Sequence, residues 1–232
     1  MKNPLLVIIA KQPQVGTTKT RLSPPLTLRA AAELFEAMLL DTIDLASSIG
    51  GLDLGVAVTP PDSLPYFESI TPPGTLLLPV TCPDIGDCLV QVFEQLFLNE
   101  YPRVIAFNSD GPSLPAEYIQ QALQLLADHD VVFGPSEDGG YYLVGLEKLY
   151  PQLFEDIAWS TSEVLPQSLA KANAQDLRVA QLPGWYDVDT EAGLKRLLKE
   201  TRSLPGQQLV HSRGFFAGLP PDLIRSLSDQ DS

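Results

Sequence analysis

The sequence lacks any apolar run approaching the roughly 18 residues that a membrane-spanning helix requires. Its opening stretch, Leu5 to Ala10, is cut off by Lys11, so it reads as a buried strand and not as the core of a signal peptide. Cysteine is scarce. Cys82 and Cys88 fit no CxxC redox or zinc spacing, and without an export signal the expectation is free thiols and a cytoplasmic location. His129 and His211 are the only histidines and lie far apart with no metal-ligand spacing, so both read as surface or internally satisfied residues. There is no GxGxxG, which argues against a nicotinamide dinucleotide. A Walker A loop is also missing: Lys11 stands where its first glycine belongs, and Gly16 and Lys19 are not adjacent. Basic residues are outnumbered, 15 against 29 acids, and the net charge of −14 argues against a nucleic-acid surface or an anionic membrane as partner.

The positive charge that is present is unevenly placed. Residues 1 to 32 hold Lys2, Lys11, Lys19, Arg21 and Arg29 and no acid, which leaves −19 on the rest of the chain. A cationic segment inside an acidic protein points to a local anion site.

With 232 residues and 44% hydrophobic composition, the chain suits one large α/β domain. Short apolar, β-branched runs alternate with amphipathic stretches, the pattern of a mostly parallel sheet covered by helices. Strands are expected at 5–10, 54–59, 76–80, 104–108, 131–134, 141–146 and 178–182. Leu28, Ala32, Phe35, Leu39 and Ile43 recur at near-helical spacing before Gly50 and Gly51. Further helices are expected near 86–100 and from Pro115 to about 128. Ser160 and Glu163 are spaced as a capping box, but Pro166 counts against a regular helix there. Thr190 can cap a last helix that turns Leu194, Leu197 and Leu198 inward. The catalytic domain is expected to span 1–202, with 203–232 a tail of uncertain order.

Four constellations can carry chemistry. The loop after the first strand offers Lys11, Gly16, Lys19 and Arg21: a glycine that lets backbone N–H groups approach an anion, and cations for phosphate oxygens. Asp110, in Asn108-Ser-Asp-Gly-Pro, leaves a buried strand where an oxygen ligand could hold Mg²⁺ or Mn²⁺, although an Asx turn suits the same residues. Asp187 and Asp189 project to one side of an extended chain and could share that cation, or Asp189 could simply favour the following helix terminus. Finally, Glu137, Asp138, Gly139, Gly140 and Tyr141 form either an exposed hairpin turn or a pocket wall, with an acid to orient a hydroxyl or act as base.

Taken together, the strings KxPxxGxxKTRL, SDxPxLP, GPxEDGGYYLxGL, WSTSxVL and DVDTxxGL resemble the small bacterial GT-A-like proteins of the nucleotide-diphospho-sugar transferase superfamily. These are glycosyltransferase-like proteins, some linked to arsenosugar biosynthesis. The chain is more distantly similar to 2-phospholactate guanylyltransferases and molybdenum-cofactor nucleotidyltransferases. The resemblance covers residues 4–198 in consistent order. It implies a GT-A fold, a three-layer α/β sandwich with helices on both faces of a mostly parallel sheet containing one antiparallel strand. It also implies metal ligation by Asp110 and Asp189 and phosphate contacts from Lys19 and Arg21. The chain departs from its relatives at Cys88, where they carry arginine.

The function expected is a metal-dependent glycosyltransferase using a nucleoside-diphosphate sugar. Its alternative is a nucleotidyltransferase that joins an NTP to a phosphorylated acceptor and releases pyrophosphate. A third reading is a nucleotide-binding module without catalysis. Catalysis would rest on Asp110, Glu137 and Asp138, and a pocket on Gly139, Gly140 and Tyr141.

Overall fold

Leu5 to Lys11 is apolar until its final lysine, and in the computed structural model, which describes residues 2–228, it forms strand β1, with Leu5, Leu6, Val7 and Ile8 fully buried. Such continuous burial is what a parallel strand covered on both faces demands. β1 pairs in parallel with β2 (Asp53–Thr59) and with β4 (Val104–Phe107), in register Val7 to Gly55 and Val7 to Ala106. β3 (Leu76–Pro79) adds to β2 in parallel. β6 (Tyr141–Leu146) runs antiparallel between β4 and β5 (Val131–Pro135), and β7 (Val179–Gln181) closes that edge. Among the described residues the result is a seven-stranded sheet of order β3-β2-β1-β4-β6-β5-β7, flanked by helices. It is a mixed α/β sheet, with the one antiparallel strand that was expected.

The helices are α1 (Leu28–Ser48), α2 (Leu64–Ile70), α3 (Ile85–Leu98), α4 (Ala116–Leu125), α5 (Val164–Ala174), α6 (Glu191–Ser203), α7 (Val210–Ala217) and α8 (Pro221–Ser228). Four of them depart from expectation. α2 is too short and too proline-flanked for its periodicity to show in the sequence. α5 is a regular helix despite Pro166, because that proline falls in the first turn, where its missing N–H has no intrahelical partner to lose. The segment 203–232, expected as a tail of uncertain order, carries α7 and α8 as far as Ser228, with Phe216 and Leu227 buried.

The chain divides into two compact units. One comprises residues up to 12, 46–108 and 115–186; the other comprises 13–45, 109–114 and 187 onward. The first holds the whole sheet. Its core packs Leu5, Val7, Val104, Phe133 and Val144 with Phe93 of α3, whose ring stacks on Phe154 at 5.7 Å between centroids. In the second, α6 packs with α7 and α8, and Leu194 and Leu197 are fully buried.

The cysteines correct an expectation. Cys82 and Cys88 are not free thiols; they form a disulfide with Cα atoms 5.2 Å apart. Cys88 sits in the first turns of α3 and the preceding loop doubles back on it, a proximity that the linear spacing does not reveal. Among the described residues no helix is long and apolar enough to cross a membrane.

Candidate active site

The second unit brings together three residues that lie far apart in sequence. The Lys19 ammonium donates to Oδ1 of Asp110 and to Oδ1 of Asp189, pairing with both carboxylates. Its side chain is 7% exposed, against 33% for Asp110 and 43% for Asp189, so the cation is covered while both carboxylates remain reachable. Burial alone would lower the Lys19 pKa; the charges and hydrogen bonds of Asp110 and Asp189 reverse that and hold it above its usual value. The ammonium also lies 5.7 Å from the centroid of the buried Phe35 ring of α1.

Local sequence explains how each group is aimed. After β1 the chain turns through Gln14, whose carbonyl accepts the N–H groups of Thr17 and Thr18, with Gly16 at φ +88° on the exposed tip. Lys19 itself adopts left-handed φ +49°, costly for a residue with a Cβ, before a single 3₁₀ turn, Thr20–Leu22, anchored by the buried Leu22. Asp110 stands three residues beyond the end of β4. Its backbone carbonyl accepts the N–H of Val188 at 2.8 Å, a bond that staples the Asp110 segment to Asp187-Val-Asp189. Val188 is fully buried, and Thr190 caps α6 by accepting the Gly193 N–H at 3.2 Å. Gly193 is obligatory here. A Cβ on it would stand 2.7 Å from the Asp187 carbonyl and 3.1 Å from the Val188 Cα, so only glycine lets α6 begin against this segment.

The remaining predicted residues separate. Arg21 is exposed in the same unit, and Lys11 is exposed at the end of β1 in the other. Asp187 lies half-buried one residue before Val188. Glu137 and Asp138 are exposed in the turn between β5 and β6, where Asp138 accepts the Gly140 N–H at 2.9 Å. Gly139 has φ +92°, and a Cβ there would meet the Ser162 backbone at 2.5 Å. This close approach, together with the Leu165 N–H on the Gly139 carbonyl at 3.0 Å, joins the Glu-Asp-Gly-Gly and Trp-Ser-Thr-Ser motifs. Tyr141 packs on Phe133 and Trp159, and the buried Tyr142 donates its hydroxyl to the Pro183 carbonyl at 3.0 Å.

The family comparison bears directly on this constellation. Residues 42–161, about half of the chain, match the family described as "Uncharacterized protein conserved in bacteria (DUF2064)". The chain belongs to this family.

The matched span contains Asp110 and the turn from Glu137 to Gly140; Lys19 and Asp189 lie outside it. The chain is similar to the phosphoenolpyruvate guanylyltransferase of Mycobacterium marinum, at 25% identity over 130 residues, 55% of this chain and 59% of that protein. Among solved structures it is similar to a "putative nucleotide-diphospho-sugar transferase" from Desulfovibrio desulfuricans G20, with a TM-score of 0.87, 28% identity, and coverage of 98% of this chain and 99% of that one. The fold is shared with a CMP:2-keto-3-deoxy-manno-octonic acid synthetase complexed with CTP, at TM-score 0.57 and 14% identity over 88% of this chain and 100% of that one. It is shared as well with the manganese complex of Rv0371c from Mycobacterium tuberculosis H37Rv, at TM-score 0.52 and 15% identity over 85% and 98%. The Mycobacterium marinum and Desulfovibrio proteins support a transferase role, and the other two structures share the fold.

Sequence reasoning named all three members of the Lys19 cluster but assigned Lys19 to phosphate alone. It missed Phe35, Val188 and Gly193, although the glycine two positions into α6, which a helix ordinarily disfavours, was a signal. His211, expected to be at the surface or satisfied, pairs with Asp44 at 3.2 Å. Ligand atoms of His211, Asp41 and Asp44 lie within 4.8 Å of one another.

Proposed function

We propose that this chain is a divalent-cation-dependent transferase acting on the phosphate chain of a nucleotide, and that its reaction is nucleotidyl transfer. The observation that carries this reading is the meeting of Asp110 and Asp189 on one buried ammonium. Two carboxylates from distant segments converge on a single cation position, and an all-oxygen donor set suits Mg²⁺ or Mn²⁺. A bound divalent ion would supply positive charge to phosphate oxygens as the bond to the leaving group breaks. Asp110 and Asp189 would hold it, with Asp187 beside them. Lys19, with Arg21 from the same loop, would balance the leaving group's charge, and the backbone at Gly16 would approach the phosphates. The shared fold of proteins that hold CTP and manganese is consistent with both roles.

Nucleotidyl transfer is preferred to glycosyl transfer on two grounds. Tyr141, expected in a pocket wall, packs against Phe133 and Trp159, and the buried Tyr142 donates its hydroxyl to the Pro183 carbonyl. The curated relative is a guanylyltransferase, and the chain spans 59% of its length. Glycosyl transfer from a nucleoside-diphosphate sugar is the second reading, favoured by the likeness over nearly the whole chain to the Desulfovibrio protein.

The test is to incubate the protein with Mn²⁺, NTPs or nucleotide sugars and a panel of phosphorylated and hydroxyl acceptors, assaying pyrophosphate and nucleoside diphosphate. Acceptor-dependent pyrophosphate release that disappears in Asp110→Asn is expected. Release of nucleoside diphosphate from a nucleotide sugar alone would establish the second reading, and equal turnover in EDTA would refute the metal.

A further inference from the structure

We propose that Lys19 is the resident counter-cation of the Asp110–Asp189 pair and gates the divalent ion, so that the metal enters only together with a nucleotide's phosphate chain, which draws the ammonium off the carboxylates. The proposal rests on the reading of Asp110 and Asp189 as the metal-holding pair. It adds an order of events and a second duty for Lys19.

The geometry behind it is competitive. The ammonium donates to Oδ1 of Asp110 and Oδ1 of Asp189, so it holds the position between the two carboxylates that an ion shared by them would take. A divalent cation bonded to carboxylate oxygens at about 2.0–2.6 Å cannot occupy that position while Nζ stays in hydrogen-bond contact with both. Charge points the same way. An ammonium and a divalent ion drawn to the same two carboxylates would stand close together in a place where Lys19 is largely covered from water. Like charges so placed repel strongly in a medium less polarisable than water. A nucleotide's phosphates remove both objections at once: they bridge the ion, and they offer oxygens to the displaced ammonium. The side chain has the means to travel. Four methylenes carry Nζ, and they spring from the left-handed Lys19 backbone at the end of a turn whose tip is exposed. A purely structural strut would show none of this competition, because removing it would loosen the carboxylates without improving their hold on a metal.

The experiment is a titration of Mn²⁺ followed by electron paramagnetic resonance of the free ion. It compares the wild type, Lys19→Met and Asp110→Asn, each with Mn²⁺ alone and with GTP or CTP. The wild type is expected to bind Mn²⁺ weakly alone and at least tenfold more tightly with a nucleotide. Lys19→Met should bind Mn²⁺ alone about tenfold more tightly than the wild type and gain much less from nucleotide. Equal Mn²⁺ affinity in wild type and Lys19→Met, lost in Asp110→Asn, would overturn the gate and leave the metal site standing. No Mn²⁺ binding by the wild type with either nucleotide, or binding undiminished in Asp110→Asn, would overturn the site and the gate together. Should Lys19→Met fail to fold, the wild type carries the test through the ¹⁵Nζ resonance of Lys19. That resonance should move when Mg²⁺ and GTP or CTP are both present and stay in place with Mg²⁺ alone. Movement with Mg²⁺ alone, or none with both, overturns the proposal.

Discussion

Asp41 shows how a carboxylate grouped with metal-binding side chains can serve a helix instead. Its two oxygens accept the backbone N–H groups of His211 at 2.9 Å and Ser212 at 2.8 Å, the second and third residues of α7. It therefore caps, from a different helix, a terminus whose own flanking residue, Leu209, provides no side-chain cap. His211 pairs with the exposed Asp44 at 3.2 Å, which completes the resemblance to a ligand cluster without requiring an ion. Burial holds the Asp41 carboxyl above its usual pKa despite those hydrogen bonds. Asp41→Ala should lose about 1–2 kcal/mol of unfolding free energy, the upper range for a lost cap, while Asp44→Ala should change little. Urea denaturation of the two variants checks this, and a comparable loss in both would mean that the pair with His211 matters more than the cap.

At the scale of elements, two joints position what the sheet and the site require. The first is the Asp130–Arg178 clamp, in which the guanidinium donates to both carboxylate oxygens, at 2.8 and 3.1 Å, and ties the start of β5 to that of β7. Hydrogen bonds from Arg178 hold the Asp130 pKa down at about 2, below an ordinary 3.8. A depressed carboxylate contributes stability that is fully present above its unfolded value and lost as pH falls through its folded one. The wild type should therefore lose stability between about pH 4 and pH 2, and Asp130→Asn should flatten that limb. Urea midpoints measured across this window decide it. The second joint is Gly193. Gly193→Ala should push the first turn of α6 away from Asp187 and Val188, costing about 1–3 kcal/mol as an overpacked contact. It should also weaken nucleotide-dependent Mn²⁺ binding by displacing Asp189. Calorimetric melting with and without Mn²⁺ and GTP would expose a silent substitution. The clamp was not legible in the sequence, because its partners lie 48 residues apart; Gly193 showed only as a glycine out of place in a helix, not as the close approach it permits.

For the molecule as a whole, the sheet was legible because its strands are buried on both faces and so appear as unbroken apolar runs, as Leu5 to Ala10 and Val104 to Phe107 do. The helices capped by Thr190 or spaced like Leu28 to Ile43 were equally plain. α2, α7 and α8 were not, because 7- and 8-residue helices give too few turns for a period to emerge. The site was legible as residue types but not as an arrangement: Lys19, Asp110 and Asp189 stood out singly, and only folding shows them sharing one charge. That sharing joins segments far apart in the chain. Lys19 waits for a partner 170 residues further along. During synthesis the basic loop and Asp110 are therefore made before the second partner of the ammonium. A product ending between Gln181 and Asp189 has every named strand of its sheet but only one carboxylate on Lys19. The proposed seat for a metal-bound nucleotide is then incomplete, and such a product should not compete for that ligand.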